Sequence, residues 1–160
     1  MRRIGLIVLS VAALAACDRA RAGSNARGEP SAADTEAVAQ ARFDPAAFDT
    51  VGWASDSLRL ARGGDVFKWG CAECHGPQGH GDGGKVTPRG DTLRPPDFHD
   101  AAWHLAGDTD AVRRKVFAGN VRGMPHWGLR RMEARDIDAV AAYVLTVLHG
   151  AQSGPTAAAH

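Results

Sequence analysis

Cys71-Ala72-Glu73-Cys74-His75 is the stretch that decides the fold of this 160-residue chain. Two cysteines at this spacing can each add to one vinyl group of a haem, and the histidine that follows them offers a ring nitrogen to the iron. The motif therefore predicts one covalently bound haem c, held by both cysteines, with His75 as an axial ligand of the iron.

Two other uses of a Cys-x-x-Cys pair fit this sequence less well. A thioredoxin-like dithiol usually follows a strand and opens a helix, whereas here the residues before Cys71 predict a helix and Gly76-Pro77 predicts a turn. A structural zinc site needs two further ligands, and the sequence has no second cysteine pair to supply them. Covalent haem attachment remains the favoured interpretation.

The beginning of the chain predicts export and a lipid anchor. Two arginines precede an uncharged stretch at 4–16, which is typical of a signal peptide and shorter than the about 20 apolar residues of a membrane-spanning helix. We therefore predict a signal peptide of the lipoprotein type over residues 1–16. Residues 14–17 (LAAC) resemble a bacterial lipobox, which makes Cys17 the predicted acylated residue; the alternative is ordinary cleavage nearby with Cys17 left free.

The predicted anchor also indicates a location. Two or three acyl chains on Cys17 would hold the protein stably on a membrane, where a single chain is marginal. Asp18 follows this cysteine and resembles the inner-membrane retention signal of enteric-type lipoproteins. The expected location is the bacterial cell envelope, on the periplasmic side, with the lipid anchor in the inner membrane.

The rest of the chain divides into a tether, one domain and a tail. Residues 17–55 are predicted to be a lipid-anchored flexible linker, because their first half has almost no large apolar side chains. Within the linker, 43–53 contains two phenylalanines and a tryptophan, and is either a short arm that packs on the domain or a partly ordered linker. Residues 56–150 form the predicted domain, and 151–160 a disordered tail.

Three helices are predicted in this domain from helical spacing of apolar residues and from capping signals. They cover about 57–70, with Asp56 or Ser57 as N-cap, about 109–118, and about 133–149. The expected buried residues are Leu58, Ala61, Val66 and Phe67 in the first helix, Val112, Val116 and Phe117 in the second, and Ile137, Val140, Ala141, Val144 and Leu148 in the third. Residues 76–107 lack an alternating strand pattern and predict a long loop, which could enclose one side of a haem.

The glycine pair at 63–64 stands inside the first predicted helix. Glycine costs about 1 kcal/mol relative to alanine in a helix interior, so the pair needs a packing reason. Close approach of another helix would supply it.

A second axial ligand would close the iron site and favour electron transfer over ligand binding. Met124 is the preferred candidate, because it lies in a glycine-flanked loop whose next residue, Pro125, stiffens the backbone. Met132 directly precedes the third helix and is expected to pack in the core. Histidine ligation, with His99 and His104 as the open cases, and an open sixth position are the alternatives.

Five segments resemble class I monohaem cytochromes c. They are 64–67 (GDVF), 71–76 (CAECHG), 79–83 (GHGDG), 123–125 (GMP) and 142–144 (AYV). Among these proteins the chain is similar to bacterial membrane-associated cytochrome c domains, including those attached to haem-copper oxidases and to periplasmic dehydrogenases.

The resemblance covers about 56–149 and implies an all-α, cytochrome c-like fold with three main helices and long loops around one haem. It implies that His75 and Met124 are the axial pair, and that Gly64 and Phe67 cross Tyr143 of the last helix. It leaves open whether the carbonyl of Pro88, Pro95 or Pro96 accepts a hydrogen bond from the His75 ring.

The implied function is one-electron transfer between membrane or periplasmic redox protein partners, by a chain that is not an enzyme on its own but could be a subunit of an oxidoreductase complex. The alternative is a haem domain that binds or senses a small gas at an open sixth position. With 19 Lys and Arg against 18 Asp and Glu, the formal net charge is +1. Such a balance argues against nucleic acid as a partner.

Overall fold

The computed structural model describes residues 29–88 and 90–150, and the regular secondary structure of this part of the chain consists of helices joined by long loops, with an isolated antiparallel bridge between Val86 and Thr92. Its α-helices are α1 Ala32–Arg42, α2 Asp56–Gly70, α3 Ala72–His75, α4 Thr109–Ala118 and α5 Ala134–Tyr143. A 3-10 helix, Pro45–Phe48, lies between α1 and α2, and a π-helical segment, Val144–His149, continues α5. The predicted all-α class is confirmed.

Some predictions fall on residues that are not described. The signal peptide at 1–16, the anchor at Cys17 and the tail at 151–160 lie outside the described residues. Within 29–88 and 90–150, no helix is both long and apolar enough to cross a membrane.

Helices α2 and α5 cross at the glycine pair. A Cβ atom on Gly63 would lie 2.2 Å from the carbonyl oxygen of Ala139 and 2.6 Å from the Cβ of Tyr143, so only glycine allows this approach. The Phe67 and Tyr143 rings pack beside it, with centroids 5.7 Å apart. The predicted reason for the glycine pair, close approach of another helix, is confirmed.

The buried face of α2 differs in part from the prediction. Val66 and Phe67 are buried as expected, but Leu58 is 57% exposed and Ala61 is exposed too. At 100° per residue, Leu58 and Ala61 fall on the side of the helix opposite Gly63. The small glycine, rather than the large leucine, therefore marks the face that meets α5. The N-cap is Ser55, one residue before the predicted choices, and its side chain accepts a hydrogen bond from the Leu58 N–H.

Helices α4 and α5 agree more closely with the sequence. Asp108 caps α4, and Val112 and Val116 are buried, with Phe117 packed at the edge of the core. All five residues predicted for the buried side of the third helix are buried: Ile137, Val140, Ala141, Val144 and Leu148. That helix is α-helical only to Tyr143, because its last turn widens into the π-helical segment.

The segment before the domain is not a flexible linker throughout. The structure places α1 at Ala32–Arg42, with a Ser31–Asp34 capping box at its start, where a linker was predicted. Helix α1 packs against α4, Ala39 is fully buried, and the Glu36 carboxylate accepts a hydrogen bond from the Val121 N–H at 2.8 Å. The prediction missed this helix because its contacts are made by small and polar side chains.

The stretch 43–53 packs on the domain, which decides between its two predicted forms. Phe43 and Phe48 are buried, and the Phe43 ring meets the Phe117 ring edge-on at 5.6 Å. Arginine side chains cover the outer faces of the aromatic rings. These pairs are Arg114 over Phe43, Arg113 over Phe48 and Arg135 over Trp53.

A buried carboxylate joins this arm to the helices. Asp138 of α5 accepts hydrogen bonds from Trp53 Nε1 at 2.8 Å, from Arg59 Nη2 at 2.7 Å and from Arg113. Burial alone would raise the pKa of Asp138, but the hydrogen bonds from Arg113, Arg59 and Trp53 outweigh it and hold the pKa below the ordinary value of 3.8. Asp138 is therefore ionised at neutral pH.

Candidate haem-binding site

The Cys-x-x-Cys-His motif forms a short helical turn at the end of α2. The Cys71 N–H still donates to the carbonyl of Phe67, and the Cys71 carbonyl then accepts from the N–H groups of Cys74, at 3.1 Å, and His75, at 2.9 Å. Both cysteines are free thiols and half-buried. One turn of backbone thus holds the two thiols and the imidazole of the predicted site together.

The loop after the motif folds back over it. Gly76 ends α3 with φ of 78°, a conformation that glycine adopts without strain. The Gly81 N–H donates to the His75 carbonyl at 2.8 Å, and the Gly83 N–H donates to the Cys74 carbonyl at 3.2 Å. A Cβ on Gly83 would lie 2.4 Å from the Glu73 carbonyl oxygen, so the loop can lie this close only with glycine there.

The His75 ring is buried against Phe98. The two rings stack with centroids 4.7 Å apart and an interplanar angle of 13°. Burial lowers the pKa of His75 to about 4, so the ring is neutral at pH 7 and keeps a nitrogen lone pair for a metal. Phe98 was not predicted to be a site residue. The paired prolines at 95–96, two residues before it, are the sequence feature that marks this segment.

The Nδ1 atom of His75 is buried without a hydrogen-bond partner in the part of the chain that the structure describes. A buried polar atom of this kind requires an explanation, and a site completed by a bound cofactor supplies one. Which proline carbonyl supports this ring therefore stays a prediction.

The thiols do not have the character of a redox dithiol. Burial raises the pKa of Cys71 to about 12. Burial also raises the pKa of Cys74, against a partial opposing effect of the Lys85 ammonium group. Thiol exchange needs a thiolate at neutral pH, and these environments disfavour one. The residues present fit haem attachment better than disulfide chemistry.

Met124 lies in a tight loop after α4. Asn120 fixes its backbone from both sides: the Asn120 N–H donates to the Met124 carbonyl at 3.1 Å, and the Asn120 side-chain oxygen accepts from the Met124 N–H at 3.3 Å. The Met124 side chain is half-buried and packs against the core cluster that includes Phe98. Asn120 was not predicted, since one asparagine in a loop gives no distinctive signal.

The other candidate ligands have different surroundings. Met132 packs on the core as expected, with its Cε 3.9 Å from the position of a Cβ on Gly70. Four histidines contact oxygen atoms elsewhere: His80 meets Asp97, His99 meets the Gln78 carbonyl, His126 the Ala118 carbonyl and His149 the Phe98 carbonyl. His104 is exposed.

The tryptophans around the motif fall into two groups. Trp69 and Trp127 meet edge-on, with centroids 5.5 Å apart, beside the end of α2, and Trp69 is 57% exposed. Trp103 is buried and packs edge-on against Phe98 at 5.0 Å. Phe98 therefore lies between the His75 ring and the Trp103 ring.

Comparison with known proteins shows that the chain is similar to subunits of a cytochrome c oxidase. The chain is 34% identical over 99 residues to the cbb3-type cytochrome c oxidase subunit CcoP of Cereibacter sphaeroides, in an alignment that covers 62% of this chain and 30% of that protein. It is 30% identical over 93 residues to the subunit of the same name from Azospirillum sp. strain B510, covering 58% of this chain and 30% of the relative. The chain thus matches less than a third of the length of these curated relatives. No solved structure shows significant similarity to it.

The match to a family profile extends well beyond the Cys-x-x-Cys-His motif. Residues 58–144, from α2 through the first residue after α5, match the family described as cytochrome c oxidase, cbb3-type, subunit III. This span contains the turn with both thiols and His75, the loop that covers it and the Met124 loop. The chain belongs to this family, and it is a c-type cytochrome with covalently bound haem for electron transfer.

Proposed function

We propose that this chain is a one-electron carrier that holds a single haem c through Cys71, Cys74, His75 and Met124. It passes electrons between redox proteins of the cell envelope and does not catalyse a reaction on its own. When bound, the haem supplies an iron centre that gains and loses one electron.

The observation that carries this proposal is the state of His75 beside the two thiols. Its ring is buried, neutral at pH 7 and fixed by stacking on Phe98, while the adjacent thiols are protonated and half-buried. A neutral, immobilised imidazole is the form that binds iron, and a fixed ligand keeps reorganisation small when the electron moves.

The Met124 loop supports methionine as the second axial ligand. Asn120 holds the Met124 backbone through two hydrogen bonds, and the following proline restricts the chain further. The four histidines that contact other oxygen atoms would have to give up or adapt those contacts to serve as ligands. A thioether stabilises the ferrous state and raises the reduction potential, which suits a carrier that accepts electrons readily.

The test of the ligand pair is spectroscopic. The oxidised parent should show the weak near-infrared band of sulfur bound to ferric haem, and Met124→Ala should abolish it. Met132→Ala is the matched control and should keep the band, since its side chain packs on the core. Loss of the band in Met132→Ala with retention in Met124→Ala would transfer the role to Met132.

The same variants separate electron transfer from gas binding. The reduced parent should not bind carbon monoxide, because both axial positions are filled, whereas reduced Met124→Ala should bind it. Rapid binding to the reduced parent would support the alternative function, a gas-binding domain with an open sixth position.

We also propose that the protein is held at the periplasmic face of the inner membrane by lipid on Cys17. The support is the sequence at 14–17, which resembles a lipobox, and the requirement for haem attachment outside the cytoplasm. Cys17→Ser should release the protein from washed membranes and remove the acyl mass from the intact protein, with the haem retained. Unchanged membrane retention and mass would exclude this anchor.

A further inference from the structure

Three side chains with metal-binding groups meet in the loop region outside the Cys-x-x-Cys-His motif. One donor atom from each of His80, Asp97 and His99 lies within 4.8 Å of the others. The His80 Nδ1 atom is 3.2 Å from each carboxylate oxygen of Asp97, and the two imidazole rings stack with centroids 4.4 Å apart. Residues from two separate stretches of the loop thus converge on one point.

Backbone contacts fix these two stretches relative to each other. The Phe98 N–H donates to the Gly79 carbonyl at 2.9 Å, which places the residues on either side of Phe98 next to His80. The Phe98 side chain is buried and anchors the segment in the core. The Asp97 carboxylate is oriented by a hydrogen bond from the His99 backbone N–H at 2.8 Å. The framework is therefore rigid, although the donor side chains are partly exposed.

The position of the His99 ring has a direct chemical consequence. Its Nε2 atom is 2.8 Å from the Gln78 carbonyl oxygen, which can only accept a hydrogen bond. In the neutral ring, Nε2 therefore carries the hydrogen and Nδ1 keeps the lone pair. Histidines that bind metals commonly donate their other ring N–H to a backbone carbonyl in this way.

We propose that His80, Asp97 and His99 form a binding site for one divalent transition-metal ion, with zinc as the expected occupant and water completing the coordination. Two imidazoles and one carboxylate are a ligand set that zinc accepts. Bonds of about 2.1 Å in tetrahedral geometry place neighbouring donors about 3.4 Å apart. The contact between His80 and Asp97 already has this spacing, at 3.2 Å. All three donor atoms lie within 4.8 Å of one another, so metal binding requires only a side-chain adjustment at these partly exposed residues.

The test is titration of zinc into the haem-loaded protein without an affinity tag, so that both motif cysteines are occupied. We expect one equivalent to bind by isothermal titration calorimetry. Zinc-edge X-ray absorption should show nitrogen and oxygen ligands, with imidazole scattering and no sulfur. Copper is the natural competitor and should displace zinc, in line with the general order of metal affinities.

Variants decide whether the zinc sits at this cluster. His80→Ala and His99→Ala should each weaken zinc binding about tenfold or more, and Asp97→Asn should weaken it as well. His104→Ala is the matched control, an exposed histidine of the same loop, and should bind as the parent does. Circular dichroism and the haem spectrum check that each variant is folded. Absence of zinc binding by the parent, or parental affinity in a folded His99→Ala protein, would overturn the proposal.

Discussion

Asp138 joins three other parts of the described chain to α5 through one carboxylate. It receives hydrogen bonds from Trp53 in the N-terminal arm, Arg59 in α2 and Arg113 in α4, while itself belonging to α5. Its side chain is only 3% exposed, whereas the partner arginines retain 25% and 19% exposure. The arginines therefore keep part of their hydration. The buried carboxylate has lost its own hydration and depends on the arginines to stabilise its charge.

Removal of this charge should destabilise the fold. In Asp138→Asn, Arg59 loses its counter-ion and Arg113 keeps only its pair with Asp110, and we expect a decrease of about 3 kcal/mol in the free energy of unfolding at pH 7, the lower end of the range for a broken buried pair. Asp136→Asn is the control, since the Arg62–Asp136 pair is more exposed, and should cost at most about 1 kcal/mol. Denaturant unfolding followed by circular dichroism measures both. Equal decreases in the unfolding free energy of the two variants would show that the burial of Asp138 does not make its ion pairs more stabilising than the exposed pair.

The same residue predicts a pH dependence. Because the pKa of Asp138 is lowered in the folded state, its stabilising contribution is complete above the ordinary carboxylate pKa and is lost as the pH falls through the folded-state value. The difference in unfolding free energy between the parent and Asp138→Asn should therefore be constant from about pH 5 to 7 and decrease below about pH 4. A difference that grew on acidification would contradict this assignment.

At the scale of elements, the crossing of α2 and α5 depends on the absence of a side chain. A Cβ on Gly63 would meet the backbone of α5, which cannot move without separating the helices, whereas a Cβ on Gly64 would lie 3.2 Å from the Tyr143 ring, whose side chain can shift. The two glycines therefore have different roles in the packing, although they are neighbours of the same residue type.

This difference gives a matched pair of variants. Gly63→Ala should lower the unfolding free energy by about 2 kcal/mol, because overpacking exceeds the about 1 kcal/mol gained in helix propensity. Gly64→Ala should change it by less than about 1 kcal/mol, since the same gain offsets a softer contact. Thermal or denaturant unfolding of the haem-loaded proteins tests both. A stabilised Gly63→Ala protein would mean that α2 and α5 do not approach this closely.

The elements also show what the sequence could and could not predict. The motif at 71–75 and the apolar spacing of α5 are local patterns, and the structure confirms the helix and its buried face. Helix α1 and the buried Asp138 were missed, because their stability comes from contacts made with distant residues. Val121, which pairs with Glu36, and Trp53, which pairs with Asp138, are each 85 positions away from their partners. Such pairing has no local signature.

At the scale of the whole molecule, the N-terminal arm belongs to the folded domain. Phe43 is 8% exposed and contacts Phe48, Phe117 and the Arg114 guanidinium. The family match begins at residue 58, so the arm lies outside the matched region, although Phe117 and Arg114, on which Phe43 packs, lie within it. The arm adds an aromatic layer to α4.

Removal of one ring from this layer should weaken the whole domain. We expect Phe43→Ala to lower the free energy of unfolding by about 3 kcal/mol, as for other buried phenylalanines. Val38→Ala is the control, because Val38 is 44% exposed on α1, and should cost no more than about 0.5 kcal/mol. If Phe43→Ala changed only the hydrogen exchange of residues 32–53, the arm would be a separate unit rather than part of the domain.

Together with the proposed lipid on Cys17, the packing of α1 against α4 would limit how far the haem domain can lie from the bilayer. With lipid on Cys17, the backbone available before Ser31 spans at most about 50 Å when fully extended, at about 3.6 Å per residue. A free chain as far as Ser55 would have allowed about 140 Å by the same measure. With the proposed anchor, an electron donor or acceptor would have to present its own redox centre near the membrane surface, and a partner free in the periplasm would have to approach the membrane to reach the haem domain.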